Sequence, residues 1–370
     1  MMTVYLLLAG ICAAWLAGWL IFFRLPTIPT RKETAASKDL KERAELSIII
    51  PARNEAENLP QLLTSLQQQT LYPVEILVVD DGSEDETIAC AKRFGATVLQ
   101  TAADSAGKAA ACWLGASQAV GKYLLFLDAD TFFLAEDGLE RLFAAYEERS
   151  GQGLLSVQPY HQTKRLYEQL SALFNVILPV GLNRFSIVGE KLSAGGAFGP
   201  CILCSKTAYL QANGHQDMPQ GILDDLALAR RFKKKRLPIA LYGGKDLLAF
   251  RMYPAGVRQL VQGWTKDFAT ASQFTHPLIM AGVILWISGG IGVLALAAPF
   301  LMEPLWLGLL FYAAYFGQTL CFARRVGNFN RVLLLFFPCY FLFFLGLFGW
   351  SWIQTHLLKS VTWKGRKINL

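Results

Sequence analysis

Asp128-Ala129-Asp130 closes the apolar run Lys122-Tyr-Leu-Leu-Phe-Leu127. Two carboxylates one residue apart, delivered at the C-terminal edge of a buried strand, can hold a divalent ion with one and orient a sugar or ribose with the other. Such a pair suits a nucleotide diphosphate. Acidic pairs also end many strands as ordinary turn residues, so the surrounding chain decides. Two more acidic pairs stand near it in pattern: Asp80-Asp81, before Gly82-Ser83, and Asp224-Asp225, after Leu223.

The elements that must position them read as strands alternating with helices. Leu46-Ser-Ile-Ile-Ile-Pro-Ala-Arg-Asn-Glu55 is a β-branched strand running into a polar turn, followed by a helical stretch from Asn58 to Gln69. A second strand, Val74-Glu-Ile-Leu-Val-Val79, empties into Asp80-Asp81-Gly82-Ser83. A helix from about Asp85 to Phe94 follows, then a short strand from Ala96 to Gln100 and the loop Asp104-Ser-Ala-Gly-Lys108. This alternation predicts a doubly wound α/β sheet whose ligands bind at the carboxyl ends of the strands. No Gly-X-Gly-X-X-Gly follows the first strand and no Gly-Lys-Ser/Thr phosphate loop is present, which argues against a dinucleotide or P-loop NTPase site. An acidic site that takes phosphates suggests a metal to neutralise them.

Ile50-Pro-Ala-Arg-Asn-Glu55, Val78-Val-Asp-Asp-Gly-Ser83, Gly107-Lys108, Leu127-Asp-Ala-Asp130 and Leu223-Asp-Asp225 resemble, in order and spacing, the family 2 glycosyltransferases. Leu155-Ser-Val-Gln-Pro-Tyr-His161, Gly196-Ala-Phe-Gly-Pro-Cys201 and Gly214-His215 look more particularly like the bacterial carotenoid glycosyltransferases that glucosylate diaponeurosporenoate. The resemblance implies a GT-A fold, a Rossmann-like mixed sheet that is mostly parallel. It also implies that Pro51, Glu55, Asp80 and Asp81 hold uridine, and that Lys108 sits near the diphosphate. Asp130 would bind Mg2+ or Mn2+, with Asp128 on the sugar or ribose or reaching the metal through water. Asp225 would be the general base beside Asp224, one displacement inverting the anomeric carbon. Simple capping of a helix is the alternative for that acidic pair. Where many membrane relatives carry Gln-X-X-Arg-Trp, this chain reads Leu260-Val-Gln-Gly-Trp264, which argues against processive polymer synthesis. Lys266 could supply the missing positive charge and Trp264 could close over donor or acceptor, or both belong to an amphipathic interfacial segment.

Composition adds a membrane. The chain of 370 residues is 53% hydrophobic, with mean hydropathy +0.33, too apolar for one soluble domain. Residues 3 to 23 carry no charge and are long enough to cross a bilayer; Arg24, Arg31 and Lys32 then place the following domain in the cytosol. The expected organisation is a transmembrane helix at 1–23, a juxtamembrane linker at 24–45 and a GT-A domain at 46–262. An interfacial segment at 263–276, a C-terminal transmembrane region of two or three helices at 277–356 and a basic tail at 357–370 complete it. Three crossings by the apolar runs Pro277 to Phe300, Pro304 to Phe322 and Val332 to Ile353 would put Lys359, Lys364, Arg366 and Lys367 outside, against the positive-inside rule. Either Val332 to Ile353, with Pro338, is a kinked hairpin or interfacial, or the Glu303-Pro304 break is no external loop.

The net charge of +7 clusters beside apolar segments and at Arg230-Arg231-Phe-Lys-Lys-Lys-Arg236, matching acidic headgroups better than nucleic acid. The seven scattered cysteines fit reduced thiols, and Cys201-X-X-Cys204 lacks a zinc-spaced partner. His161, His215 and His276 read as structural, with His215 the best functional candidate because it shortly precedes the acidic pair. The apolar stretch within Leu166 to Val188 either lies in the membrane interface or is a buried core helix, and Gly195-Gly196-Ala-Phe-Gly199 is a tight loop. The expected enzyme transfers a hexose, glucose first, from a UDP-sugar to a membrane lipid. A carotenoid carboxylate is the preferred acceptor, with diacylglycerol, a hopanoid or ceramide-like lipid, or polyprenyl phosphate as others; other carotenoid or lipid pathway enzymes are candidate partners. A scaffold that binds nucleotide without chemistry is the competing class.

Overall fold

Leu46–Ala52 (β1) carries Ile48, Ile49 and Ile50, all fully buried. A strand apolar on both faces belongs in the middle of a covered parallel sheet, and β1 sits there. It pairs in parallel with β2 (Glu75–Asp80) on one side and β4 (Tyr123–Leu127) on the other, Ile49 standing opposite Leu77 and Phe126. The other strands are β3 (Thr97–Gln100), β5 (Thr131–Phe133), β6 (Leu154–Gln158), β7 (Tyr160–His161), β8 (Cys201–Ser205), β9 (Ile239–Gly243) and β10 (Leu248–Phe250). The main sheet has the order β3-β2-β1-β4-β8-β6-β9. β8 runs antiparallel to β4 and β6, and the remaining pairs are parallel. This is the mostly parallel mixed sheet expected of the GT-A class. The computed structural model describes residues 2–30, 45–102, 107–218, 223–296, 305–358, 360–363 and 366–369. Most of the linker 24–45, residues 104–106 of the loop before Lys108, the Glu303-Pro304 break, Lys359 and Lys364 lie outside the described residues.

Strand order places the crevice. The chain leaves β1 for β2 and β3 on one side and returns as β4 on the other, so the switch point lies between the carboxyl ends of β1 and β4. Alternate β1 residues feed two cores: Ile48 and Ile50 pack with Leu62, Leu66, Val78, Leu125 and Phe143, whereas Ile49 packs with Leu77, Val79, Phe126, Ile202 and Phe232. On the second face lies the helix Lys108–Gln118. A Cβ at its Gly115 would come 2.5 Å from Ile49 Cγ2 and 3.1 Å from Val79 Cγ2, so glycine lets the helix settle closely on β1 and β2. Its first residue, Lys108, is thereby held at the sheet edge.

The sheet belongs to one compact unit, Pro26–Tyr160 with Gly196–Arg251. Met1–Leu25, His161–Gly195 and Met252–Leu370 form the other, and β7 marks one passage between them. The second unit is built of apolar helices. Among the described residues, Pro277–Leu294, Trp306–Val326 and Leu333–Leu358 are long and apolar enough to cross a membrane. The expected N-terminal anchor is the helix Met2–Ile21, of which Tyr5–Ile21 is a shorter apolar stretch. The segment 161–195, assigned from sequence to the range 46–262, packs in this unit; its helix Ala172–Gly181 buries Leu173, Phe174 and Val176.

His215 closes the second core face of the sheet unit. It is 4% exposed. Its Nδ1 lies 2.9 Å from the Tyr209 hydroxyl, its backbone N–H donates to the same hydroxyl at 3.0 Å, and its ring meets Phe126 edge-on. Burial, then the positive charges of Lys108 and Arg231, hold the imidazole pKa down to about 3. The ring is therefore neutral in the fold, while the unfolded chain takes up a proton below about 6.5. Stability falls as pH drops from about 6.5 towards about 3, by up to ~1.4 kcal/mol per pH unit from this group. His215→Gln is expected to flatten that part of the profile relative to the parent chain in thermal unfolding across pH; parallel profiles would rule out a neutral buried imidazole.

Candidate active site

The loops after β1 and β2 are laced together. Asn54, in the left-handed region at φ 53, donates its N–H to Ser83 Oγ at 3.0 Å and accepts from the Glu84 N–H at 2.8 Å. Glu55 N–H donates to Thr87 Oγ1 and Ala56 N–H to Asp85 Oδ2. The Glu55 carboxylate accepts from Asn58 Nδ2 at 2.7 Å. Pro51, inside β1, is partly buried. Asp80 is 1% exposed and accepts from the Ser83 N–H at 3.3 Å on both oxygens. Asp81, also buried, accepts through Oδ1 from Thr101 Oγ1 at 3.1 Å and from Gly107 N–H at 2.8 Å. Gly107 precedes the helix Lys108–Gln118 with φ 119, a conformation open to glycine.

Asp81 thus anchors the residue that launches Lys108. Lys108 Nζ reaches Asp128 Oδ1 at 2.5 Å, the two side chains 38% and 27% exposed. Burial works against the ammonium, but the attraction and hydrogen bond of Asp128, with Asp224 adding, hold its pKa above the ordinary lysine range. Asp128 ends β4 in a tight turn: its N–H donates to Pro200 O at 3.0 Å and its carbonyl accepts from Thr131 N–H and Oγ1. Asp130 follows, partly exposed, its carbonyl accepting from the Arg251 N–H at 3.2 Å.

Asp224 and Asp225 occupy the first turn of the helix Asp224–Lys234, where the helix dipole favours negative charge. Asp225 Oδ1 accepts from the Leu226 N–H at 2.8 Å and Oδ2 from the Gly199 N–H at 3.2 Å. A Cβ at Gly199 would stand 3.1 Å from Asp225 Oδ2, a tight fit. Both acidic motifs therefore address Lys108, Asp128 by contact and Asp224 through space. This pairing was not part of the sequence expectation for Lys108, and neither was the bond from Gly199; the glycine run at 195–199 was the available signal for the latter.

Among the described residues no three or more His, Cys, Asp or Glu side chains are grouped to hold a metal. Asp128 and Asp130 supply hard oxygen donors in a set of two, which fits a magnesium-like ion that takes its remaining ligands from substrate phosphates and water. Cys201 and Cys204 are buried in opposite cores of the sheet, so they share no site; burial raises both thiol pKa values.

Trp264 and Lys266 lie in the other unit, on the helix Val257–Ser272. Trp264 Nε1 donates to Ser171 Oγ at 3.0 Å, and its ring stacks on Phe174 at 4.8 Å and meets Tyr253 edge-on. The Tyr253 ring fills the space a side chain at Gly263 would need, so a larger residue there would clash with that ring. His161 Nδ1 meets Asn175 Nδ2 at 2.9 Å, and His276 donates its N–H to Asn183 Oδ1 at 2.8 Å; both are structural pairings in this unit.

The sequence model of glycosyl transferase family 2 matches residues 47–209. The 4,4'-diaponeurosporenoate glycosyltransferase of Staphylococcus aureus strain MRSA252 is 40% identical over 332 residues, 88% of each chain. That of strain USA300 is 39% identical over the same share. Among solved structures, a mannosyltransferase from Pyrobaculum calidifontis in complex with GDP-Man and Mn2+ matches 96% of both chains at 17% identity and TM-score 0.51, a likeness of fold. With the family match beginning at β1 and relatives aligned over most of the chain, this protein belongs to glycosyl transferase family 2 and is a glycosyltransferase.

Proposed function

We propose that the protein transfers glucose from a UDP-sugar to a carotenoid carboxylate dissolved in the membrane, forming a glucosyl ester with inversion at the anomeric carbon. The observation that carries this reading is the gathering of acidic motifs at the carboxyl edge of the sheet: Lys108 pairs with Asp128, whose N–H donates to Pro200 O, next in the chain to the Gly199 whose N–H holds Asp225. The acceptor rests on the 40% identity to glycosyltransferases named for 4,4'-diaponeurosporenoate. In this reading Pro51, Glu55, Asp80 and Asp81 line the uridine side, and Lys108 turns its ammonium to the diphosphate. Asp130, with Asp128, would hold Mg2+ or Mn2+, which when bound offsets the negative charge gathering on the departing UDP. Asp225 faces the sugar from the acceptor side. The apolar helices embed the chain several times in the plasma membrane, with Arg24, Arg324 and Arg325 favouring a cytosolic sheet unit.

A carboxylate acceptor is already ionised near pH 7, so Asp225 orients it and need not remove a proton. Expression in a host that makes carotenoid acids, followed by mass analysis of its lipids, tests the acceptor: a hexose increment on the carotenoid acid is expected, and a hexose on a glycerolipid with carotenoids untouched would overturn it. Asp225→Asn is expected to slow transfer to an alcohol acceptor by on the order of 10²–10⁴-fold, the usual contribution of a general base, and transfer to a matched carboxylate acceptor far less. Equal losses would contradict the positioning role. UDP release from UDP-glucose by membranes carrying the protein should stop on chelation with EDTA and return with Mn2+ or Mg2+; release that persists in EDTA would remove the metal from the scheme.

A further inference from the structure

We propose that residues 327–353 form a re-entrant hairpin that enters and leaves the membrane on one face, so that the chain crosses three times and ends on the face where Phe22 and Arg325 lie. The inference rests on the reading of the apolar helices as membrane-embedded and settles how many of them cross.

Contacts within the helical unit set the directions. Gly282 abuts Ile21, Gly289 abuts Ala14, and Gly292 lies near Ile11, so Pro277–Leu296 runs antiparallel to Met2–Ile21. Trp15 Nε1 donates to Ala314 O at 3.1 Å, Gln318 Nε2 to Trp15 O at 2.7 Å and Arg325 Nη1 to Phe22 O at 3.0 Å, so Leu305–Val326 runs parallel to Met2–Ile21. Phe22, the start of the helix at Pro277 and Arg325 therefore share one end of the bundle. Polar contacts gather at that end. Asn328 Oδ1 accepts from Thr163 N–H and Oγ1, Gln169 Oε1 accepts from the Asn330 N–H, and the Tyr167 hydroxyl donates to Tyr253 O and Pro254 O. Leu25, His161 and Met252, where the chain passes between units, lie beside these residues in sequence.

The last long helix, Phe337–Ile353, starts elsewhere. Phe337 stacks on Tyr315 with centroids 6.0 Å apart and meets Tyr312 at 4.9 Å. Tyr315 is roughly eleven residues from Val326, or about 16 Å at 1.5 Å per residue, near the middle of a ~30 Å hydrocarbon core. From there the helix returns: Phe341 meets Trp286 at 5.1 Å, Phe344 meets Phe174 and Phe268, and Ser351 Oγ donates to Thr265 O at 2.7 Å. Phe337 to Ser351 rises about 21 Å, enough to regain the face it left. The strand Ser360–Trp363 then packs on the helix Val257–Ser272, which follows Tyr253 and Pro254.

The inbound limb is capped as non-helical backbone at membrane depth must be. Asn330 Oδ1 accepts from the N–H groups of Val332 at 2.8 Å and Leu333 at 3.3 Å, its carbonyl accepts from Leu334 N–H at 3.1 Å, and the Tyr312 hydroxyl donates to Leu335 O. A turn of 3-10 helix, Leu333–Phe336, joins this limb to Pro338 in the first turn of the returning helix. Three crossings also bring Arg366 and Lys367 to the face that holds Arg24, Arg324 and Arg325, as the positive-inside rule requires.

The test uses the full chain and reads position, not glycosyl transfer, so its outcome is independent of the donor and acceptor assigned above. A C-terminal alkaline phosphatase fusion in a bacterial inner membrane should show loss of phosphatase activity, and the matching green fluorescent protein fusion should fluoresce. A fluorescent amino acid encoded in place of Phe336 should be quenched by lipids brominated in mid-chain and not by aqueous iodide. An active phosphatase fusion would overturn the hairpin in favour of a full fourth crossing. A cytosolic tail with iodide quenching at position 336 would overturn it in favour of a segment lying on the surface.

Discussion

The ion pair between Lys108 Nζ and Asp128 Oδ1, 2.5 Å long, answers an electrostatic problem set by the fold. A doubly wound sheet delivers its loops to one edge, and here those loops bring Asp80, Asp81, Asp128, Asp130 and the Asp224-Asp225 turn. Like charges so gathered repel, and they do so more strongly in a half-buried crevice than in water. Lys108 supplies opposite charge between the β4 terminus and the helix at Asp224. Both partners are partly exposed, so the pair contributes less than a fully desolvated one. Its value is positional: the ammonium holds Asp128 in place at the carboxyl edge of the sheet.

Close approach of backbone is the means by which Lys108 and Asp225 reach their places. Gly115 lets the helix Lys108–Gln118 sit on Ile49, and Gly199 lets its own N–H meet Asp225 Oδ2. Asp81 ties the two ends of this arrangement together, since its carboxylate binds Gly107 at the helix start while its own N–H donates to Ala52 O at the end of β1. A change at Gly115 or Asp81 would shift the helix that carries Lys108, and one at Gly199 would press on Asp225 itself. The chemistry of the edge is therefore distributed through the packing of the sheet.

Much of this was legible because it is local. The run of isoleucines at β1, the acidic turns after β2 and β4 and the acidic first turn of the helix at Asp224 are each spelled by neighbouring residues. What was not legible depends on residues far apart. Cys201 and Cys204 suggest a pair by spacing, yet a strand sends them to opposite faces. The partner of Lys108 lies at the end of β4, beyond the helix that Lys108 starts, so no local spacing reveals it. Val332 to Ile353 has the composition of a span, and the contacts of Phe337 with Tyr315 and of Ser351 with Thr265 come from elements that the sequence does not order in depth.

Asp225 shows how geometry bears on mechanism once the family is known. Each of its oxygens already accepts a backbone N–H, from Leu226 and from Gly199. The bonds from Leu226 and Gly199 fix the plane of the carboxylate against the helix start, which is what an orienting group requires. An alcohol nucleophile would need one of these oxygens to accept its proton as the bond to the sugar forms. A carboxylate nucleophile brings no proton, and its negative charge meets an edge where Lys108 already offsets the neighbouring acids. Under the proposed function, an acid acceptor would ask less of Asp225 as a base and more of it as a fixed wall against which the acceptor is aligned.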